Sequence, residues 1–119
     1  MASDPVEPGS DEAEEVRRDF AGLVNMTAKQ LQGWLATDES KAVGQKDGGE
    51  SVGHASGRRI VALLDKRKDE LTAEDLGHMK KVAGYIKRHL AQRPDKPKSD
   101  IEHSAWAGSL RNWGHDPLK

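Results

Sequence analysis

The segment "ELTAEDLGHMKKVAGYIKRHLAQRP", residues 70–94, decides the fold. Leu76, Met79, Ala83, Ile86 and Leu90 recur every three or four residues, with Val82 on the shoulder of the stripe, and that period belongs to an α-helix buried along one face. Thr72 stands at an N-cap position, Asp75 three residues on can return a hydrogen bond to it, and Leu71 before the cap can pack on Leu76. Pro94 lacks an amide hydrogen and disfavours helical geometry before it, so the pattern predicts a helix over residues 73–93.

The same start signals recur on either side. In "NMTAKQLQGWLAT", Thr27 and Gln30 form a second capping box and Met26 can staple to Leu31, opening a short helix that faces Leu31, Trp34 and Leu35 to one side. Upstream, Val16, Phe20, Leu23 and Val24 make an apolar stripe on a helix over about residues 11–25. Ile60, Leu63 and Leu64 share a face of a helix over about 56–68, with Ser56 as its cap, and only "DEL" separates it from the long helix, which predicts a tight antiparallel pair. After the linker "RPDKPK", Ser99 and Glu102 offer a third capping box, and Trp106, Leu110 and Trp113 follow at spacings of four and three. Aromatic side chains at helical spacing pack inward, so the tryptophans are expected in the core. No stretch alternates with strand period. The fold class is all-α, a small bundle of four to five helices.

Length and composition place this bundle in one domain. The chain has 119 residues, an apolar fraction of 34% and a charged fraction of 33%, so part of it is expected outside the core. Residues 1–12 are expected to be a disordered acidic tail, and residues 13–119 a single helical domain with a flexible Gly-rich loop at about 38–55. Cysteine is absent, which excludes disulfides and thiolate metal sites. The opening "MASDPVEPGSDEAEE" lacks the basic and apolar regions of a signal peptide, and no apolar run approaches the ~20 residues that span a bilayer. The expectation is a cytoplasmic protein with no membrane partner.

Charge is unevenly placed. Residues 1–53 carry 11 acidic and 5 basic side chains, residues 54–98 carry 6 and 12, and residues 99–119 carry 3 and 2. A basic middle in a chain of net charge −1 points to an anionic partner, or to an acidic segment that competes for it. At ~100° per residue, Gly77, Gly84 and Ala91 form a narrow stripe on the outer side of the long helix, flanked by Lys80 and Lys87 on one side and Lys81 and Arg88 on the other. Such a stripe would let a phosphate backbone approach between two basic rows; alternatively it would receive a partner helix, with the lysines snorkelling around the contact. Arg58, Arg59, Lys66 and Arg93 complete the expected phosphate-contacting set.

Other chemistries fail on spacing. Gly44 and Gly49, or Gly48 and Gly53, have the glycine separation of a nucleotide P-loop but no following lysine and no preceding strand, which leaves a hinge with an anion contact at Arg58 and Arg59. His78 and His89 share a helix face but stand 11 residues apart, about 16 Å, too far to chelate one ion. No catalytic constellation or cofactor motif occurs, so no enzyme, metal or cofactor is expected.

At "TDESKAVGQKDGGESVGHASGRRIV", "HMKKVAGYIKRHLAQRP" and the terminal "NWGHDPLK", the chain resembles a family of small proteins of actinobacteria and filamentous fungi whose members are commonly labelled DNA-binding. The resemblance covers residues 26–119 and marks Trp113, Gly114, His115, Asp116 and Pro117 as a signature. It implies no catalytic residues. "MTAKQLQGWL" with "SGRRIVALL" also resembles the helix-extension-helix DNA modules of the SAP type, although the loop between them is longer here. The terminal motif reads as a clasp, in which Trp113 closes the apolar face, Gly114 ends the helix in the left-handed region, Pro117 prevents its resumption, and His115 and Asp116 are surface or capping groups.

The function expected from these features is non-enzymatic binding of nucleic acid, DNA ahead of RNA, through phosphates and with little base reading, at the nucleoid of the cell. The alternative is a helical protein-interaction or stress-related adaptor, docking a partner on the Gly77, Gly84 and Ala91 stripe.

Overall fold

The computed structural model describes residues 5–43 and 51–119, and every described element is helical. The helices are α1 (Asp11–Leu23), α2 (Ala28–Leu35), α3 (Asp38–Ala42), α4 (Val52–Leu64), α5 (Ala73–Leu90), α6 (Lys98–Ile101) and α7 (Ala105–Asn112), with a 3-10 turn at Lys68–Glu70. The all-α reading holds, with short α3 and α6 adding to the four or five helices expected. Gly44, Gly48 and Gly49 of the glycine-rich hinge lie outside the described residues.

Hydroxyl caps set the helix starts. The side chains of Ser10, Thr27, Thr37, Ser51, Thr72 and Ser104 each accept from the backbone N–H three residues on, satisfying a donor that the first helical turn leaves unpaired. The boxes Thr27/Gln30 and Thr72/Asp75 close reciprocally. Two expected starts move. α4 is capped by Ser51, while Ser56 turns inward, where its hydroxyl meets His78 Nε2 at 3.1 Å. The Ser99/Glu102 box does not form; α6 follows Pro97, and Ser104 caps the tryptophan-bearing α7. The segment expected to be a tail also contributes to the core, since Val6 is buried and its N–H donates to Ala73 O at 3.1 Å.

Leu31, Ile60, Leu76, Val82, Ile86 and Leu110 form the fully buried centre, with Val16 and Phe20 of α1 and Trp113 around them. The principal partner of α5 is α1 and that of α4 is α2, while α7 lies against α2, α3, α4 and α5. The short connection between α4 and α5 therefore does not make the tight antiparallel pair expected. They meet through polar contacts instead: Ser56 with His78, and Arg59 and Lys66 with Asp75.

The chain end seals the bundle. Gly114, at φ +87°, turns the chain out of α7, and a Cβ there would sit 3.0 Å from Val24 Cγ1. Met26 N–H then donates to Gly114 O, Asn25 and Asp116 exchange two hydrogen bonds of 3.0 and 2.7 Å, and Lys119 Nζ reaches Asn25 O at 2.6 Å. His115 is no loose surface group, because its Nδ1–H donates to Leu23 O at 2.6 Å and pins the end of α1. The clasp joins the C-terminus to the α1–α2 corner, 91 residues away.

Close approach of α4 to the end of α7 requires glycine at position 57, where a Cβ would lie 2.5 Å from Asn112 O and 2.7 Å from Leu35 Cδ2. Alanine at a free helix-interior site gains up to about 1 kcal/mol over glycine. Here the backbone oxygen cannot move aside, so Gly57→Ala is expected to destabilise the fold by about 1–3 kcal/mol. Denaturant unfolding checks it; an unchanged or raised midpoint contradicts the close packing.

Candidate nucleic-acid interface

α5 carries the candidate surface because its two sides are used differently. One side buries Leu76, Met79, Ala83 and Ile86 among the core, and helix α1 runs along that edge. The sevenfold spacing that places Lys80 and Lys87 in one row of α5 also places Glu12 and Asp19 in one row of α1. The rows meet. Lys80 Nζ lies 3.0 Å from Glu12 Oε2, and Lys87 Nζ lies 3.1 Å from Asp19 Oδ2.

Other expected contacts are also engaged within the chain. Lys66 Nζ lies 2.6 Å and Arg59 3.6 Å from the Asp75 carboxylate, which itself completes the α5 capping box. Burial raises the Asp75 carboxyl, but Lys66 and Thr72 outweigh it and hold it below its ordinary value. Arg58 lines a cleft of about 380 Å³ between α2 and α4, with Leu35, His54 and Val61. Since α4 starts at Val52, Arg58 and Arg59 stand well past its first turn, and the anion contact expected at a helix start there is not built.

The opposite edge of α5 differs. Lys81 and Arg88 flank it, and Arg88 Nη1 would be 3.2 Å from a Cβ at Gly84, so the guanidinium lies over the small residue. Arg93 sits over the Trp106 ring at 5.8 Å, a cation–π contact that leaves its charge uncompensated. Among the described residues, no carboxylate lies within ion-pair distance of Arg88, Arg93, Lys96 or Lys98, all of which are exposed. The small-residue stripe is shorter than its periodicity implied: Gly77 is buried, Gly84 is half-buried and only Ala91 is exposed. It offers no continuous groove for a phosphate backbone or a partner helix.

Beneath this edge lies a run of rings. Tyr85 stacks on Trp113 at 4.1 Å and on His89 at 5.2 Å, and His89 stacks on Trp106 at 6.0 Å, whose indole N–H donates to His89 O. His78 is buried, and burial together with the cations Arg59 and Lys81 pushes its pKa down to about 4. His89 is lowered mainly by burial as well.

His78 folds neutral and must charge on unfolding in acid, so between about pH 6.5 and pH 4 the unfolded chain binds more protons and stability falls as pH falls, an effect to which His89 adds in the same direction. Asp75 has the depressed carboxylate pattern, and its contribution is lost only below the ordinary carboxylate range. From pH 7 to pH 5 the His78 contribution amounts to about 2 kcal/mol. Unfolding free energies of the native chain and of His78→Gln at both pH values check this; an equal loss in the two removes His78 as the cause.

The periodic reading missed one functional-looking group that proves structural. Asn112 is 1% exposed, and its Oδ1 accepts from Trp34 Nε1 at 2.8 Å and Ser40 Oγ at 2.5 Å while its Nδ2 donates to Ser40 O at 3.2 Å. It joins α2, α3 and α7. Nothing in its spacing distinguishes it from a surface asparagine. The pairing of Lys80 and Lys87 with Glu12 and Asp19, by contrast, had a sequence signal in the shared spacing of seven.

The chain belongs to the family described as Protein of unknown function (DUF3140), whose model matches residues 19–111. No curated protein and no solved structure matches it. The matched span leaves out most of α1, including Glu12, and begins at Asp19. No described helix is long and apolar enough to cross a membrane.

Proposed function

We propose that the protein is a non-enzymatic nucleic-acid-binding module that contacts phosphates with the edge of α5 facing away from α1, through Arg88 and on into Arg93, Lys96 and Lys98. The observation that carries this reading is the exposure of these four cations with no carboxylate in ion-pair range among the described residues, while Lys80, Lys87, Arg59 and Lys66 each have one. Two acids, Asp95 and Asp100, fall within residues 88–100 and leave the stretch basic. Val52 is the one large apolar side chain exposed among the described residues, so the surface favours a partner held by charge over one held by an apolar patch. Phosphate contacts position without reading bases, so little sequence preference follows, and duplex DNA is the first substrate to test. On this reading the protein acts in the cytoplasm at the nucleoid, as the DNA-binding label of the family it resembles implies.

The alternative adaptor reading draws on the same ion pairs, since Glu12 and Asp19 match part of the basic middle in cis. Fluorescence anisotropy with labelled duplex DNA at low ionic strength separates the two. Arg88→Ala with Arg93→Ala is expected to weaken binding by about tenfold or more across all sequences, with only a small fall in melting temperature from the lost Arg93–Trp106 contact. Native affinity in this double variant, or no binding by the native chain, removes the assignment.

A further inference from the structure

We infer that α1 is a fixed electrostatic mask on the binding face, holding Lys80, Lys87 and Lys68 out of reach of nucleic acid and confining phosphates to the far edge of α5. The inference rests on the nucleic-acid reading above and specifies how that face is limited.

Three carboxylates of α1 engage three lysines: Glu12 with Lys80 at 3.0 Å, Asp19 with Lys87 at 3.1 Å and Glu14 with Lys68 at 3.3 Å. The Glu14 carboxyl is held below its ordinary value by Arg17 and then by Lys68. All three pairs are solvent-accessible, with lysine side chains 57–68% exposed, and ion pairs in that setting add little to stability. Their weight falls on binding. A phosphate that takes one of these lysines must first part it from its carboxylate, and the freed carboxylate recruits a cation that offsets the counterion released from the nucleic acid. Each masked lysine thus contributes little affinity and little salt dependence.

The mask does not swing away, because the other face of α1 is core. Ala13, Val16 and Phe20 are buried, and Ser10 caps the helix in place. Deleting residues 1–25 would therefore strip packing along with charge, whereas substitutions at the carboxylates remove charge alone.

The test uses the full chain carrying Glu12→Gln, Glu14→Gln and Asp19→Asn, against a control of equal charge change at exposed carboxylates with no ion pair among the described residues, Asp38→Asn, Asp65→Asn and Glu102→Gln. Binding to labelled duplex DNA is titrated between about 50 and 200 mM salt. The mask predicts that the α1 variant binds at least about tenfold more tightly than the native chain at the lowest salt, with a log–log salt slope steeper by about two or more, and that the control changes by less than about threefold. It further predicts that Lys68→Gln, Lys80→Gln and Lys87→Gln together leave native binding unchanged but cancel the gain in the α1 variant. If the α1 variant matches the control while the native chain binds, the mask is wrong and the binding reading stands. If neither the native chain nor the α1 variant binds, the reading fails and the mask with it.

Discussion

Trp113→Ala is expected to destabilise the protein by about 3–5 kcal/mol, the usual cost of truncating a buried aromatic side chain. Trp113 is 4% exposed, belongs to the core cluster and stacks on Tyr85 at 4.1 Å, so its removal leaves a void where α7 meets α5. It also closes α7, its N–H donating to Leu110 O and Ser109 O just before Gly114 reverses the chain. The loss should appear as a fall in melting temperature of more than about 10 °C. A normal melting temperature together with lost nucleic-acid binding would instead make the tryptophan part of the binding surface.

Asn112→Leu is the second large effect, at about 2–4 kcal/mol, although it preserves volume and adds apolar surface. The substitution strands the buried Ser40 hydroxyl and carbonyl and the Trp34 indole N–H, and each unpaired buried polar group costs about 1–3 kcal/mol. Ser40→Ala removes a partner without stranding all three, so it should cost less than Asn112→Leu. Denaturant unfolding of the two variants orders them; the reverse order would show that apolar packing outweighs the network here. The same network holds α3 against α7, so amide exchange of residues 38–43 should quicken in Asn112→Leu.

Periodicity and capping made most of the helices legible, because both act locally. Thr72 with Asp75 and Thr27 with Gln30 need only neighbours three residues away, and they form as the spacing implied. What the sequence left open was long-range. Ser56 has the composition of a cap but is drawn inward by His78, 22 residues on, and the cap passes to Ser51. Val6 sits in an acidic, proline-containing stretch whose average composition resembles a tail, yet one buried side chain and one hydrogen bond to Ala73 tie it down. The candidate surface shows the same division: helical geometry alone placed Lys80 and Lys87 in a row, but which row of the bundle faces them follows from the packing of α1 on α5. The helical period puts Gly77 on the outer side of α5, yet it is buried, since periodicity gives a residue's direction on its own helix and not what lies opposite.

The most direct measurement of the central claim is the salt dependence of nucleic-acid binding by the full native chain, followed by anisotropy with labelled duplex DNA from about 50 to 200 mM salt. Contacts from Arg88, Arg93, Lys96 and Lys98 predict a log–log slope of about −3 to −4, nearly independent of DNA sequence. Absence of binding at the lowest salt, or binding with a slope near zero, would contradict it.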